Sequence, residues 1–228
     1  MTDIINEEVF ISGLVGSKIC HDLINSISAI GNGIELLFNV EKTQQQNIME
    51  NQLCKNSLKL IMNSSEIASA RIQLYRVAFG NSRIDNTCSA ESAFSLITRL
   101  ENAMGDHAPK FEGTTNIDII ERDYIKIFLN LVMSGFECLV RGGDIKGDIQ
   151  MKSSSVTLKI IFTSEKMITY APGMNILTNK QHSPDDILSM QPRDIGYFIC
   201  RTLVNKRGGK MSVANSNNKV SITVKLPV

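Results

Sequence analysis

Tryptophan is absent, and aromatic residues make up only 6% of the 228 positions. Base-stacking platforms need exposed aromatics, so single-stranded nucleic acid is not an expected ligand. Charge of one sign is also missing: 24 Lys and Arg stand against 23 Asp and Glu, for a formal net charge of +1. That balance argues against a broad nucleic-acid surface. No apolar run approaches the roughly 20 residues that span a bilayer. The opening MTDIINEEVF has no basic region followed by an apolar stretch, so no secretory signal is expected. The five cysteines, Cys20, Cys54, Cys88, Cys138 and Cys200, are odd in number and include no CxxC. Neither a disulfide framework nor a zinc site follows from them, and a reducing cytoplasm is the simpler setting. His107 and His182 stand alone in distant loops, with no HxxxH or HxH pair for a metal. No GxSxG elbow supports a serine hydrolase. With 43% apolar residues the chain is globular, long enough for one large or two small domains.

What is present centres on Gly16–Leu37, GSKICHDLINSISAIGNGIELL. Cys20, Leu23, Ile27, Ile30, Ile34 and Leu37 are spaced 3, 4, 3, 4, 3, the seam of a helix packed along other helices. At about 100° per residue, His21 points away from Leu23, Ile27 and Ile30. Its expected neighbours are Ser17, Asn25, Ser28 and Asn32, all short and polar. A lone surface histidine is ordinarily just solvated. One ringed by small residues, opposite an apolar seam and followed by Asp22, is open to a large partner.

The first helix is expected from about Glu7 to Asn39, with Gly31 and Gly33 admitting a close neighbour. The segment Asn39–Thr43 reads as a polar turn. A second helix follows from about Thr43 to Phe79, with Leu53, Leu60, Ile67 and Leu74, and beside them Cys54, Ile61, Ala68 and Tyr75, repeating every seven. Residues 1–80 thus form an antiparallel helical hairpin whose seams call for a second copy: a four-helix bundle in a homodimer. A boundary falls at Gly80-Asn81-Ser82. Residues 81–228 mix periods. Helices are expected at Ser89–Met104 (capped by Ser89), Glu121–Val140 and Asp194–Lys206, and a short strand at Lys110–Glu112. Hairpins are expected at Asp148–Ser153 with Val156–Thr163, and at Lys210–Ala214 with Val220–Leu226. Each Arg-Gly-Gly triplet follows an apolar helix and reads as a left-handed cap, not an RNA-binding repeat. The fold class is therefore α+β: a helical hairpin, then an α/β sandwich with helices on one face of a mixed sheet.

An exposed neutral imidazole is a nucleophile that forms a phosphoramidate readily. Asp22 can hydrogen-bond the ring and fix its tautomer, and Lys18, one turn back, can meet phosphoryl oxygens. His21-Asp22-Leu23 with Ala29–Leu37 (AIGNGIELL) resembles the phosphoacceptor box of two-component histidine kinases. It is closer still to the bacterial histidine phosphotransferases of the ChpT family. Phe128-Leu129-Asn130-Leu131 resembles a remnant of the kinase N box, and Asp194–Arg201 through Gly208–Val213 resembles the last helix and strand of a kinase ATP-binding domain.

The departures bear on the choice between kinase and phosphotransferase. Ser134 stands where a kinase N box has its second, magnesium-holding Asn. The adenine-reading Asp-x-Gly-x-Gly element is missing, and Thr163–Arg193 has the single glycine Gly173. Gly196 alone is a poor phosphate cradle. Asn130 then reads as an ordinary core or capping polar residue, and the sandwich as a degenerate ATPase domain that binds no cofactor. The resemblance implies that His21 accepts a phosphoryl group from the receiver domain of a hybrid histidine kinase. It then passes the group to the receiver domain of a response regulator, with magnesium supplied by the receiver. The docking surface would hold Ser17, Lys18, Ser28 and Asn32. Asp22-Leu23-Ile24-Asn25 fits the acid-x-x-Thr/Asn pattern in which the fourth residue orients water, which adds Asn25 to His21 and Asp22 as a catalytic candidate. A divergent ATP-dependent kinase and a non-catalytic dimeric adaptor or inhibitor are the two other classes left open.

Overall fold

The computed structural model describes residues 2–43, 52–80, 86–166, 168, 174–178 and 187–228. Helices α1 (Thr2–Thr43) and α2 (Gln52–Ala78) lie antiparallel, since Gly33 of α1 meets Ser57 while Asp22 meets Arg71 and Tyr75. With 42 residues, α1 is about 63 Å long. It starts at Thr2 and continues through Asn39–Thr43, so that segment is helix and not a turn. Polarity alone does not end a helix, and NVEKT has no Gly or Pro to stop it. Thr43, the expected start of the second helix, still belongs to α1, and residues 44–51 lie outside the described residues, as do Asn81 and Ser82 of the expected boundary.

The α1–α2 contact is built from small residues. Ser26 and Gly33 of α1 and Cys54, Ser57 and Ser64 of α2 are buried. A Cβ on Gly33 would stand 2.6 Å from Ile61 Cγ1 and 3.2 Å from the Ser57 carbonyl oxygen. Only glycine admits so close a neighbour there. This moves the contact face round the helix and splits the expected seam in two. Leu23, Ile30 and Leu37 are half-buried against α2, whereas Cys20, Ile27 and Ile34 are exposed. With Ile24, Gly31 and Phe38 they form a second apolar stripe spaced 4, 3, 4, 3, 4 along the outside of α1. On α2, Leu53 and Leu60 are likewise exposed.

Residues 86–228 supply β1 (Thr87–Ser89), α3 (Ala90–Met104), β2 (Lys110–Thr115), β3 (Ile119–Glu121), α4 (Arg122–Cys138), β4 (Asp144–Lys152) and β5 (Ser155–Thr163). A last helix, Ile195–Lys206, and the strands β6 (Lys210–Ser216) and β7 (Lys219–Pro227) complete them. The main sheet runs β2-β4-β5-β7-β6, with β2 parallel to β4 and every other pair antiparallel, so the sheet is mixed as expected. β1 and β3 form a separate antiparallel pair that the sequence reading did not include. β4 starts at Asp144, four residues before the expected Asp148. Gly147 occupies one of its inward positions and hides the alternation. Ser89 Oγ caps α3 by accepting from the Ser92 N–H at 3.3 Å. Gly208 caps the last helix at φ +64° as expected, whereas α4 ends earlier, at Cys138 with Leu139 as its cap, and Gly142 takes its φ of +85° in the turn that follows.

The core lies between the sheet and α3, α4 and the last helix. Ile145, Ile149, Leu158, Ile160, Phe162, Ile222 and Val224 meet Ile97, Ile125, Phe128, Leu129, Val132, Cys200 and Val204 there. The lower half of α2 shares it: Ala70, Leu74 and Ala78 belong to the same cluster. On the other side, Leu14 of α1 packs with Ile187, Met190, Ile195 and Phe198. The turn of α1 carrying His21 therefore sits where the hairpin is anchored on the sandwich.

Candidate functional site

His21 is on α1, its side chain 79% exposed. Its Nδ1 lies 3.2 Å from Asp22 Oδ1. The other carboxylate oxygen, Oδ2, accepts from Lys18 Nζ at 2.8 Å and from the Tyr75 hydroxyl. Arg71, one turn before Tyr75 on α2, donates to the Asp22 carbonyl oxygen. Lys18 is also paired with Glu137 of α4. Asp22 is thus gripped from α1 and α2, and Glu137 of α4 holds Lys18 in turn, while the imidazole remains in solvent. In the tautomer whose Nδ1–H donates to Asp22, Nε2 keeps its lone pair and is free to act as a nucleophile.

The electrostatics follow from partial burial around a network of opposite charges. Burial opposes charge on Asp22, but the hydrogen bonds from Lys18 and Tyr75 outweigh it and hold the carboxyl below the usual range. Burial likewise opposes the Lys18 ammonium, yet Glu137 and Asp22 keep it above its ordinary value. Burial pushes Glu137 up, against the pull of Lys18. Burial and then the Asp22 charge push the Tyr75 phenol far up, so Tyr75 stays a donor.

A stability test follows for Asp22. Its pKa in the folded chain is below that in the unfolded chain, near 3.9. The contribution is therefore complete above that value and disappears as pH falls through the depressed folded pKa. Asp22→Asn is expected to lower stability by about 1–2 kcal/mol at pH 7. In denaturant titrations from pH 7 to pH 3 its gap to the wild type should close below about pH 4. A gap that stays constant would show that the carboxylate charge contributes nothing.

Ser17, Asn25, Ser28 and Asn32 are all exposed, as the spacing predicts, and leave the His21 face open. Lys18 differs from its expected setting: its side chain is only 11% exposed and its ammonium is engaged by two carboxylates. Beside His21 opens a cavity of about 710 Å³ between hairpin and sandwich. Arg71 and Arg193 line it together with the Lys18–Asp22–Glu137 cluster and His107, and Leu74, Met104, Met133 and Phe136 give it an apolar floor. His107 and His21 thus line one cavity despite their separation in sequence, whereas His182 and Gly173 lie outside the described residues.

Asn130 is buried, and its Nδ2 donates to the Ala78 carbonyl at 3.2 Å and to the Lys126 carbonyl at 2.9 Å, joining α4 to the end of α2. A Cβ on Gly196 would stand 3.0 Å from Asn130 Oδ1, so this glycine makes room for the Asn. Ser134 Oγ donates to the Leu131 carbonyl at 2.6 Å, within its own helix.

Three site residues escaped the sequence reading. Arg71 and Tyr75 are four apart on α2 and face Asp22 together. Glu137 is the only acid between Tyr124 and Val140. A lone carboxylate in so apolar a helix requires a cation, and that was the available signal.

Comparison with known proteins places the chain. The family model described as the histidine phosphotransferase C-terminal domain matches residues 100–219, more than half of the sequence. The protein phosphotransferase ChpT of Brucella abortus (strain 2308) is 26% identical over 211 residues, 89% of either chain. A solved bacterial phosphotransferase superposes with a TM-score of 0.75 at 22% identity, covering 94% of this chain and 95% of that one. At that identity the likeness speaks to the fold, which it shares from the hairpin to the last strand. The chain belongs to the ChpT-like histidine phosphotransferases.

Proposed function

We propose that His21 accepts a phosphoryl group from the receiver-domain aspartate of a hybrid histidine kinase and returns it to the receiver domain of a response regulator. The observation that carries this reading is an exposed imidazole whose Nδ1 is tied to a partly buried, anchored carboxylate. The Nε2 lone pair attacks phosphorus. The P–N bond forms as the P–O bond to the receiver's aspartate breaks, and the electron pair leaves with that carboxylate. The Nδ1 proton stays on the ring, shared with Asp22, whose charge offsets the positive imidazole. Transfer onward is the reverse of these events on a second receiver. The receiver brings the magnesium that neutralises the phosphoryl oxygens, and this chain contributes position and no cofactor of its own.

Docking of a domain needs roughly 800 Å² per partner. The small residues Ser17, Asn25, Ser28 and Asn32 admit the receiver to Nε2. Arg71 and Arg193 along the cavity wall complement the acidic pocket that surrounds a receiver's aspartate. Asn25, one turn beyond His21, is the candidate for holding water against a docked phosphoryl group. The exposed stripe of α1, together with the exposed Leu53 and Leu60 of α2, is assigned to a homodimer. Asn130 and Gly196, packed on each other, favour a receiver over ATP as the donor.

The test offers the full chain two donors separately: labelled ATP with magnesium, and a panel of labelled phospho-receiver domains. Label stable in base and lost in acid is expected only from receivers. Label taken from ATP alone, or from no receiver in the panel, would overturn the reading.

A further inference from the structure

Glu137 belongs to α4, 119 residues from Lys18 in sequence, yet their side chains are paired. Lys18 in turn bonds Asp22 Oδ2, and Asp22 Oδ1 meets His21 Nδ1. A chain of four side chains therefore runs from the sandwich to the imidazole. Arg71 bonds the Asp22 carbonyl and Tyr75 the Asp22 carboxylate, Arg193 and Tyr197 line a small cavity with Lys18 and Glu137, and His107 lines the larger one beside His21.

The chemistry of the ring gives this chain a task. A neutral imidazole in water favours the proton on Nε2, which would silence the outward nitrogen. Asp22 must hold the proton on Nδ1, and its strength as acceptor depends on how much of its charge Lys18 neutralises. If Lys18 paired with Asp22 alone, the ion pair would be closed and the carboxylate weakened toward the ring. Glu137 takes part of that ammonium and leaves Asp22 more negative toward His21. We infer that Glu137 is a positioning residue for phosphoryl transfer, setting the His21 tautomer through Lys18 and Asp22. This rests on the His21 reading above and extends the site to the second half of the chain.

Two variants of the full-length protein test it by opposite signs. Long-range nitrogen–proton NMR reads the tautomer and pKa of His21, and rapid-quench mixing with a phospho-receiver reads transfer. In the wild type the neutral ring is expected mainly as Nδ1–H. Glu137→Gln should lower the His21 pKa, raise the Nε2–H fraction and slow transfer about tenfold, the lower end of what outer partners of a site contribute. Lys18→Met frees the Asp22 charge and should raise the His21 pKa. A purely structural loosening would move both variants the same way, and that result overturns the proposal. So does a wild-type ring held mainly as Nε2–H, or a His21 that responds to neither change. Should Glu137→Gln not fold, the sign of the Lys18→Met shift decides. The NMR readout needs no phosphodonor, so failure of every receiver to label the wild type would sink the proposed function and leave this inference to be judged separately.

Discussion

His21→Ala is expected to abolish phosphoryl acceptance from receivers, with no acid-labile label at any mixing time, and to leave the fold intact. The two halves of this result come from the same geometry. The side chain is 79% exposed and, among the described residues, its hydrogen bond is to Asp22 at 3.2 Å, so little packing is lost. Substitutions at such surface positions change stability by about 0.5 kcal/mol or less, and Ala is the better helix former. Asp22 retains Lys18 and Tyr75 after the change, so no buried carboxylate is stranded. What disappears is the nucleophile itself. Loss of a nucleophile is not a graded loss of binding, so the variant should still compete for a docked receiver while taking no label. His21→Gln, which keeps a polar side chain of similar length, should be equally inert. Label that persists in His21→Ala would place the acceptor elsewhere, and loss of label accompanied by unfolding would mean that His21 is structural.

Much of this site was legible because it is local. The exposure of His21, the small residues around it and the adjacency of Asp22 are consequences of 3.6-residue periodicity within one helix. The Gly208 cap and the Ser89 cap are local too, and the structure places them as expected. What stayed hidden is what holds Asp22 and its partner Lys18. Arg71, Tyr75 and Glu137 lie 49, 53 and 115 residues away in sequence, and each had a local explanation that masked its role. Tyr75 fitted a heptad, and Glu137 sat within an apolar helix. The split seam has the same origin. Leu and Ile positions gave the period correctly, but the depth of contact was decided by Gly33 and Ser57, residues that a hydrophobic count ignores. The β1–β3 pair is three residues long on each side, too short for alternation to register.

Ile27→Asp should convert the protein to monomers, and it tests the dimer independently of the chemistry. Ile27 is 60% exposed and Ile34 42% exposed in the single chain, on a stripe that Cys20, Ile24, Gly31 and Phe38 continue. A polar substitution there disturbs no intrachain core, so the monomer should keep its helix content. If two such stripes meet in a four-helix bundle, a two-fold axis buries two carboxylates without partners. Stranding buried charges costs about 3 kcal/mol or more for each. Two of them weaken the dimer by about four orders of magnitude. Analytical ultracentrifugation at micromolar concentration should therefore show dimers for the wild type and monomers for Ile27→Asp, with unchanged circular dichroism. An unaltered dimer in this variant would remove the stripe from the interface. Because His21 lies about 100° around the helix from Ile27's stripe, the monomer should still accept label from a receiver when docking is confined to one chain. Loss of transfer on monomerisation would instead show that the receiver straddles both copies, as the adjacency of the exposed His21 face and the apolar stripe allows.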